Sequence, residues 1–337
     1  MPRFLLPAAV LTAAATPLWA EVPSVATDIA PVHSLVARVM EGVGTPDLIV
    51  PPAASPHGYA MRPSEARALS GADLVVWVGP PLTPWLADPL TSLAGSASHL
   101  ALIDQPGTRV MPFREGATFE AHDHDEKGHS EEAHEGHDHD DHEGHGEEEG
   151  HDHAEHENAE HDHSHGGIDS HVWLDPQNAQ LWLGQIAEAL AELDPENGNQ
   201  YRANAEAGQA ELTALEEEID EILDPARGQP FIVFHDAYHY FEARFDIEAA
   251  GAMSENDARA PGAARIAELR ALVSDIEAKC VFAEPQFNPG LIAAVAEGQE
   301  LGTGTLDPIG ASLEPGQSLY PDLLRGMAEA MADCLSK

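Results

Sequence analysis

Basic residues are scarce in this chain of 337 residues. It has 16 lysine and arginine residues against 59 aspartate and glutamate residues, so its formal net charge is −43 before its 20 histidines are counted. A surface this acidic repels phosphate backbones, which excludes nucleic acid as a partner, and it attracts cations instead. The length is sufficient for two domains, each with a hydrophobic core.

Long apolar runs are also missing beyond the N-terminus. Residues 1–20 have the features of an export signal, with Arg3 ahead of an apolar run over 4–15 and a small residue, Ala20, at the end. This run is too short for a transmembrane helix, and no later segment could span a membrane. No cysteine lies near the signal to carry a lipid. We therefore predict a soluble, exported protein whose signal peptide is removed and which has no lipid anchor.

The chain has only two cysteines, Cys280 and Cys334, and they lack the CxxC spacing typical of zinc sites. In an oxidising compartment an even pair predicts a disulfide, and two separate buried thiols are the alternative. Closing a loop of about 55 residues would stabilise the fold by roughly 4 kcal/mol through the loss of chain entropy in the unfolded state.

One stretch has no large apolar residue at all. Residues 121–167 contain no Val, Ile, Leu, Met, Phe, Tyr or Trp, whereas 14 of the 20 histidines and 18 acidic residues lie within 122–165. Such a stretch has nothing to bury, so we predict that it is disordered when unbound.

This histidine-rich stretch repeats the triplet HDH and ends in HSH, so imidazoles and carboxylates alternate along it. We predict that it binds several metal ions weakly, because ordering it costs entropy. An acidic linker with incidental histidines is the alternative. The histidines of these triplets, taken as auxiliary low-affinity ligands, are His122, His124, His137, His139, His151, His153, His161, His163 and His165.

On either side of this stretch, short apolar strands alternate with helical patterns. This order indicates βα units and mostly parallel sheets, and therefore an α/β fold. A further helical pattern over 195–224 is long enough to connect two lobes. We predict an N-terminal lobe over 21–194, which includes the loop 121–167, a linking helix over 195–224 and a C-terminal lobe over 225–337.

Three polar side chains follow predicted strands, namely His57, His235 and Asp307. Ligands of open parallel sheets bind outside the carboxyl ends of the strands, so these side chains could converge in a cleft between the lobes. His171 lies just after the histidine-rich stretch. Neutral imidazoles suit tetrahedral Zn²⁺, which makes these residues candidate metal ligands, although separate structural histidines would give the same pattern.

Signals of catalysis are lacking. His235 and His239 have the HxxxH spacing, but the intervening residues are Asp, Ala and Tyr, so the HExxH pattern of zinc peptidases is absent. We predict that the protein is not an enzyme. A metallohydrolase would need an open coordination position beside a general base, and no motif indicates one.

Five ordered motifs give the chain a family resemblance. They are SPHGY with RPS over 55–64, HVWLDP over 171–176, VFHDAY with YF over 233–241, CVFAEPQF over 280–287 and GTLDP over 304–308. With these motifs the chain resembles the zinc-binding periplasmic component of bacterial ABC importers. The resemblance covers nearly all of the mature chain, and a histidine-rich acidic loop before the second ligand is also typical of the zinc members.

The resemblance implies two Rossmann-like lobes bridged by a long rigid helix, with the metal in the cleft between them. His57, His171 and His235 stand at the positions of the family's three zinc-ligating histidines, and Asp307 stands at the position of a carboxylate fourth ligand. Some zinc members carry Glu directly before the first histidine, where this chain has Pro56. The two cysteines match the family's disulfide.

The function implied by this resemblance is high-affinity binding of Zn²⁺ in the periplasm and its delivery to an ABC permease in the inner membrane with its ATPase. We expect a monomer whose histidine-rich loop serves as an auxiliary zinc scavenger or sensor. Two alternatives remain open at this stage. One is a manganese or broad-metal solute-binding protein, since manganese members place a carboxylate where His235 stands, and the other is a periplasmic zinc buffer or chaperone.

Overall fold

The computed structural model describes residues 22–114, 167–254, 262–287 and 290–337. The predicted signal peptide (1–20) and all nine auxiliary histidines of the histidine-rich stretch lie outside these residues, so what was predicted for them stays a prediction. Within the described ranges, no helix has both the length and the apolar character that a membrane crossing requires.

The N-terminal lobe is built on a parallel sheet of four strands. These are β1 (Val25–Thr27), β2 (Asp47–Leu48), β3 (Leu74–Trp77) and β4 (Ser98–Ala101), in the order β2-β1-β3-β4. The connecting helices are α1 (Ala30–Val39), α2 (Pro63–Ser70) and α3 (Ala87–Leu93). β1 and β3 are buried along their whole length, as expected of strands covered by helices on both faces.

Two long helices follow, α4 (Pro176–Leu193) and α5 (Gly198–Leu223). They pack against each other, and α5 also contacts α1. The predicted linking helix corresponds to α5, which begins only at Gly198. The preceding residues form a turn in which the Asn197 side chain donates to the Asp194 carboxylate at 2.7 Å. With 26 residues α5 is about 39 Å long, so it can reach both lobes.

The C-terminal lobe repeats the topology of the first. Its strands are β5 (Phe231–His235), β6 (Gly251–Ser254), β7 (Cys280–Ala283) and β8 (Gly302–Thr305), all parallel, in the order β6-β5-β7-β8. Its helices are α6 (His239–Phe245), α7 (Ala263–Asp275), α8 (Gly290–Ala296) and α9 (Leu319–Leu335), and α9 also packs on α5 and α1. The predicted α/β fold with two parallel-sheet lobes is therefore confirmed.

The disulfide predicted from the two cysteines is present. Cys280, the first residue of β7, is bonded to Cys334 near the end of α9, over a sequence separation of 54 residues. Gly302 on β8 lies against it, since a Cβ atom at that position would be 2.8 Å from the Cys334 sulfur. A side chain there would have to displace the bridge, so the glycine permits the helix to cross the sheet edge closely.

The sheet order determines where a ligand can bind. In each lobe the chain moves to opposite sides of a central strand, β1 in the first lobe and β5 in the second. Such a switch leaves a crevice outside the carboxyl ends of the central strand and its neighbour. In the second lobe these are the ends of β5 and β7, which carry His235 and Glu284.

Candidate metal centre

His235 is the last residue of β5 and is buried, with 3% of its surface exposed. Its Nδ1 atom lies 2.5 Å from Oε1 of Glu284, the residue after β7. The parallel register explains this contact, because Phe231 is paired with Cys280 and Ile232 with Val281, and the same offset places His235 opposite Glu284. The sheet therefore places a carboxylate directly behind this imidazole.

His171 is held in the same way from the first lobe. The Asp169 carboxylate oxygen Oδ1 lies 2.7 Å from Nδ1 of His171 and accepts its backbone N–H at 3.0 Å. Asp169 is itself buried. Burial raises its pKa to about 7, against the lowering effect of the hydrogen bond from the His171 backbone. A cation bound at His171 would favour the ionised carboxylate.

His57 lies in the loop between β2 and α2. The loop is anchored on both sides of the histidine. The Trp85 indole N–H donates to the Pro56 carbonyl at 2.7 Å, and the Tyr59 hydroxyl donates to the Glu65 carboxylate at 2.8 Å. These contacts explain why the SPHGY and RPS motifs occur together, since Glu65 in α2 holds the residues that follow the histidine.

The three predicted ligands meet between the lobes. The ring centroids of His57 and His171 are 5.5 Å apart, and those of His171 and His235 are 5.3 Å apart. The Nε2 atoms of His171 and His235 are separated by 3.4 Å. Two nitrogens on a tetrahedral zinc ion, each about 2.0–2.1 Å from the metal, would be about 3.3–3.4 Å apart.

The described residues do not contain a complete group of three or more His, Cys, Asp or Glu side chains already arranged around a metal position. The geometry provides two nitrogens at the spacing of a zinc site, with the third ring in contact with one of them. Two of the four positions of a tetrahedral site are therefore in place among the described residues, and the full coordination is not.

The two carboxylates determine which nitrogens face the cleft. When the Asp169 and Glu284 carboxylates are ionised, they accept hydrogen bonds from Nδ1 of His171 and of His235, and Nε2 of each ring is then the nitrogen whose lone pair can bind a cation. Two lone pairs 3.4 Å apart repel each other unless a cation or a proton lies between them. The arrangement therefore suits a cation with a preference for imidazole nitrogen.

Asp169 and Glu284 were not singled out from the sequence, although a signal existed for each. Glu284 directly follows a buried apolar strand, just as His235 ends one, and Asp169 stands two residues before His171. What the sequence could not reveal is which imidazole each carboxylate would hold.

Asp307 occupies a different environment from the histidines. Its Oδ1 accepts the backbone N–H of Ala311 at 2.9 Å, and its Oδ2 accepts the backbone N–H and the hydroxyl of Ser312 at 3.1 and 3.0 Å. These contacts stabilise the turn after β8. A role as fourth ligand would add to this structural role, and it stays a prediction.

The other described histidines contact backbone or lie beside the site. His33 is buried, with Nε2 3.1 Å from the Pro46 carbonyl, and burial lowers its pKa. His99 is exposed, with Nε2 2.9 Å from the Ala94 carbonyl. His239 opens α6, and its Nδ1 lies 3.9 Å from Oδ2 of Asp169.

Comparison with known proteins gives three consistent matches. The family profile of ZnuA, "Zinc-uptake complex component A periplasmic", matches residues 25–334. The high-affinity zinc uptake system protein ZnuA of Paracoccus denitrificans (strain Pd 1222) is 48% identical over 335 residues, which is 99% of this chain and 98% of that protein. Its counterpart of the same name from Brucella suis biovar 1 (strain 1330) is 46% identical over 320 residues, 95% of this chain and 94% of that protein.

A structural match extends the comparison to the fold. A crystal structure of ZnuA superposes with a TM-score of 0.71 at 24% sequence identity, and the match covers 94% of this chain and 100% of the other. At this identity the superposition bears on the fold alone, whereas the sequence matches span almost the entire chain.

Proposed function

The chain belongs to the ZnuA family of periplasmic zinc-uptake components, and on this premise we propose that it binds Zn²⁺ tightly between its lobes and delivers the ion to an ABC permease with its ATPase. Zinc is the cargo in this function. The protein holds it through side chains and releases it unchanged, so its chemistry is that of a binding protein and not of an enzyme.

The observation that carries this proposal is the 3.4 Å separation of the His171 and His235 Nε2 atoms, each backed by a buried carboxylate. We assign these two histidines and His57 as the zinc ligands, with Asp307 or a water molecule as the fourth. Three neutral imidazoles favour Zn²⁺ over Mn²⁺, which prefers oxygen ligands. Competition between the two ions at the tight site tests the manganese alternative.

The remaining parts of the proposal concern the protein's context. We propose that residues 1–20 are removed on export, that no lipid anchors the mature chain and that it acts as a monomer in the periplasm. The auxiliary histidines within 122–165 gather zinc weakly and raise its concentration near the cleft.

A zinc titration of two forms of the chain tests the main proposal and the division of labour within it. We expect the full chain to bind one ion tightly and several weakly. A variant lacking 122–165 should keep the tight site and lose the weak ones. Its ends remain held together, because the Phe113 N–H donates to the Gly167 carbonyl at 3.1 Å.

Calorimetry against zinc, with a competing chelator for the tight site, measures both classes of site. Absence of a tight site in the full chain would refute the proposed function. Loss of the tight site in the deletion variant alone would instead show that the histidine-rich stretch supplies ligands to it. An equal number of bound zinc ions in the two forms would refute the auxiliary role of the histidine-rich stretch.

A further inference from the structure

The two ends of the histidine-rich stretch form a short antiparallel pair beside the metal centre. We call residues 111–114 and 167–169 the arm; its strands are joined by a bridge and by the Asp169 N–H, which donates to the Met111 carbonyl at 2.9 Å. The arm belongs to the first lobe and carries the carboxylate that holds His171. Any displacement of the arm would therefore be transmitted to this imidazole.

The arm is bonded to α6 of the second lobe through one tyrosine. The Tyr240 hydroxyl donates to the Asp169 carbonyl at 2.8 Å and accepts the Met111 N–H at 2.7 Å. A single side chain of the second lobe therefore contacts both strands of the arm. All three groups are buried, so water does not compete for these hydrogen bonds.

A second and stronger contact comes from Arg114, at the end of the first strand of the arm. Its Nε donates to both oxygens of Asp236 at 3.1 Å, and its Nη1 donates to Oε2 of Glu242 at 2.6 Å. The exposed fractions of the three side chains are 9%, 7% and 2%. Arg114 is therefore the buried cation that compensates two buried carboxylates of the opposite lobe.

The position of this ion pair links it to the site. Asp236 directly follows His235, while Asp169 on the arm contacts His171. Arg114 therefore connects the arm, whose Asp169 contacts His171, with Asp236, the residue next to His235. If the arm moved away, Asp236 and Glu242 would lose the guanidinium that compensates their charge, which is unfavourable for carboxylates with little access to water.

We propose that Arg114 is a positioning residue that latches the arm onto the second lobe and so maintains the spacing of His171 and His235 needed for zinc. This inference rests on the proposed function, because it assigns a role in zinc binding. With the arm docked, the two Nε2 atoms have the spacing of a zinc site. Arg114 then contributes to affinity without touching the ion.

The expected effect follows from the population of the latched state. If removing the guanidinium leaves the arm docked in about one molecule in ten, the apparent Kd for zinc rises about tenfold. We expect Arg114→Met to show this rise and to release zinc faster. Arg114→Lys, which keeps the charge but loses the two-pronged geometry, should lie between Arg114→Met and the wild type.

The test uses the full chain, with zinc affinity measured by chelator competition and zinc release by stopped flow. Arg202→Met is the matched control, because Arg202 forms an exposed ion pair with Glu188 between α4 and α5, away from the site. Spin labels on Ser92→Cys and Ala267→Cys report the distance between the lobes. We expect a single narrow distance for the apo wild type and a broader distribution for apo Arg114→Met, which zinc narrows.

Each result discriminates. Wild-type affinity, release rate and lobe distance in both Arg114 variants would overturn the latch while leaving the proposed function intact. Weaker binding with an unchanged distance distribution would also overturn it, since Arg114 would then affect zinc affinity without holding the arm against the second lobe. If Arg114→Met does not fold, Arg114→Lys decides between these outcomes. Failure of the wild type to bind zinc would instead reject the proposed function.

Discussion

Replacement of His171 by alanine is expected to raise the Kd for zinc by about 100- to 1000-fold. Structural zinc sites with four ligands have binding free energies of about 10–16 kcal/mol, so one ligand accounts for roughly 3–4 kcal/mol, and each 1.4 kcal/mol is tenfold in affinity. In this variant the Asp169 carboxylate still accepts the backbone N–H of residue 171, so the loss reports the missing zinc-binding nitrogen.

Chelator competition on the purified full chain measures this effect at the tight site, separately from weak binding by the histidine-rich stretch. His99→Ala is the matched control, since His99 is an exposed histidine of the same lobe that contacts only backbone in the described structure. If His171→Ala binds zinc with the affinity of the wild type, His171 is not a ligand and the proposed site between the lobes is refuted.

Glu284→Gln is expected to weaken zinc binding by about 10- to 100-fold, although Glu284 does not touch the ion. Replacing the partner behind a metal-bound histidine has effects of this size in zinc proteins. The amide loses the charge that makes the imidazole a better donor. If it presents its NH₂ group, it also reverses the protonation of His235, so that Nε2 carries the proton and cannot bind zinc.

The variant is compared with Glu300→Gln, an exposed glutamate of the same lobe, by the same competition assay. Circular dichroism of the apo form verifies that the fold is retained. If Glu284→Gln binds zinc within about twofold of the wild type, the carboxylate does not support the ligand, and its burial beside His235 needs a structural explanation. A parallel loss in Glu300→Gln would point to net charge instead.

The proposed metal site draws its parts from distant stretches of the chain, and this limited what could be predicted. The positions of His57, His171 and His235, after a strand or beside the histidine-rich stretch, made them candidates, and the family resemblance predicted them as zinc ligands. Their partners were not identified. The contact between His235 and Glu284 joins residues 49 positions apart and depends on the parallel pairing of β5 with β7.

The prediction for Asp307 illustrates the same limit from the other side. Its position at the end of a strand made it a reasonable ligand, and the structure shows its oxygens accepting hydrogen bonds from the turn that follows. A polar residue after a strand can serve the backbone, a metal or both. Local sequence does not distinguish these roles, because both use the oxygens of the same carboxylate.

By itself the sequence predicted the fold class from local patterns, and with the family resemblance it also predicted the disulfide and the type of chemistry. Alternating strand and helix periods require parallel sheets, an even pair of cysteines predicts a bridge, and imidazoles favour zinc. Only the tertiary structure decided which carboxylate supports each proposed ligand, the 3.4 Å spacing of the His171 and His235 Nε2 atoms and the ion pair of Arg114 with Asp236 and Glu242. These depend on strand register and on how the two lobes meet, and the contacts of Arg114 bring together residues that are more than 100 positions apart.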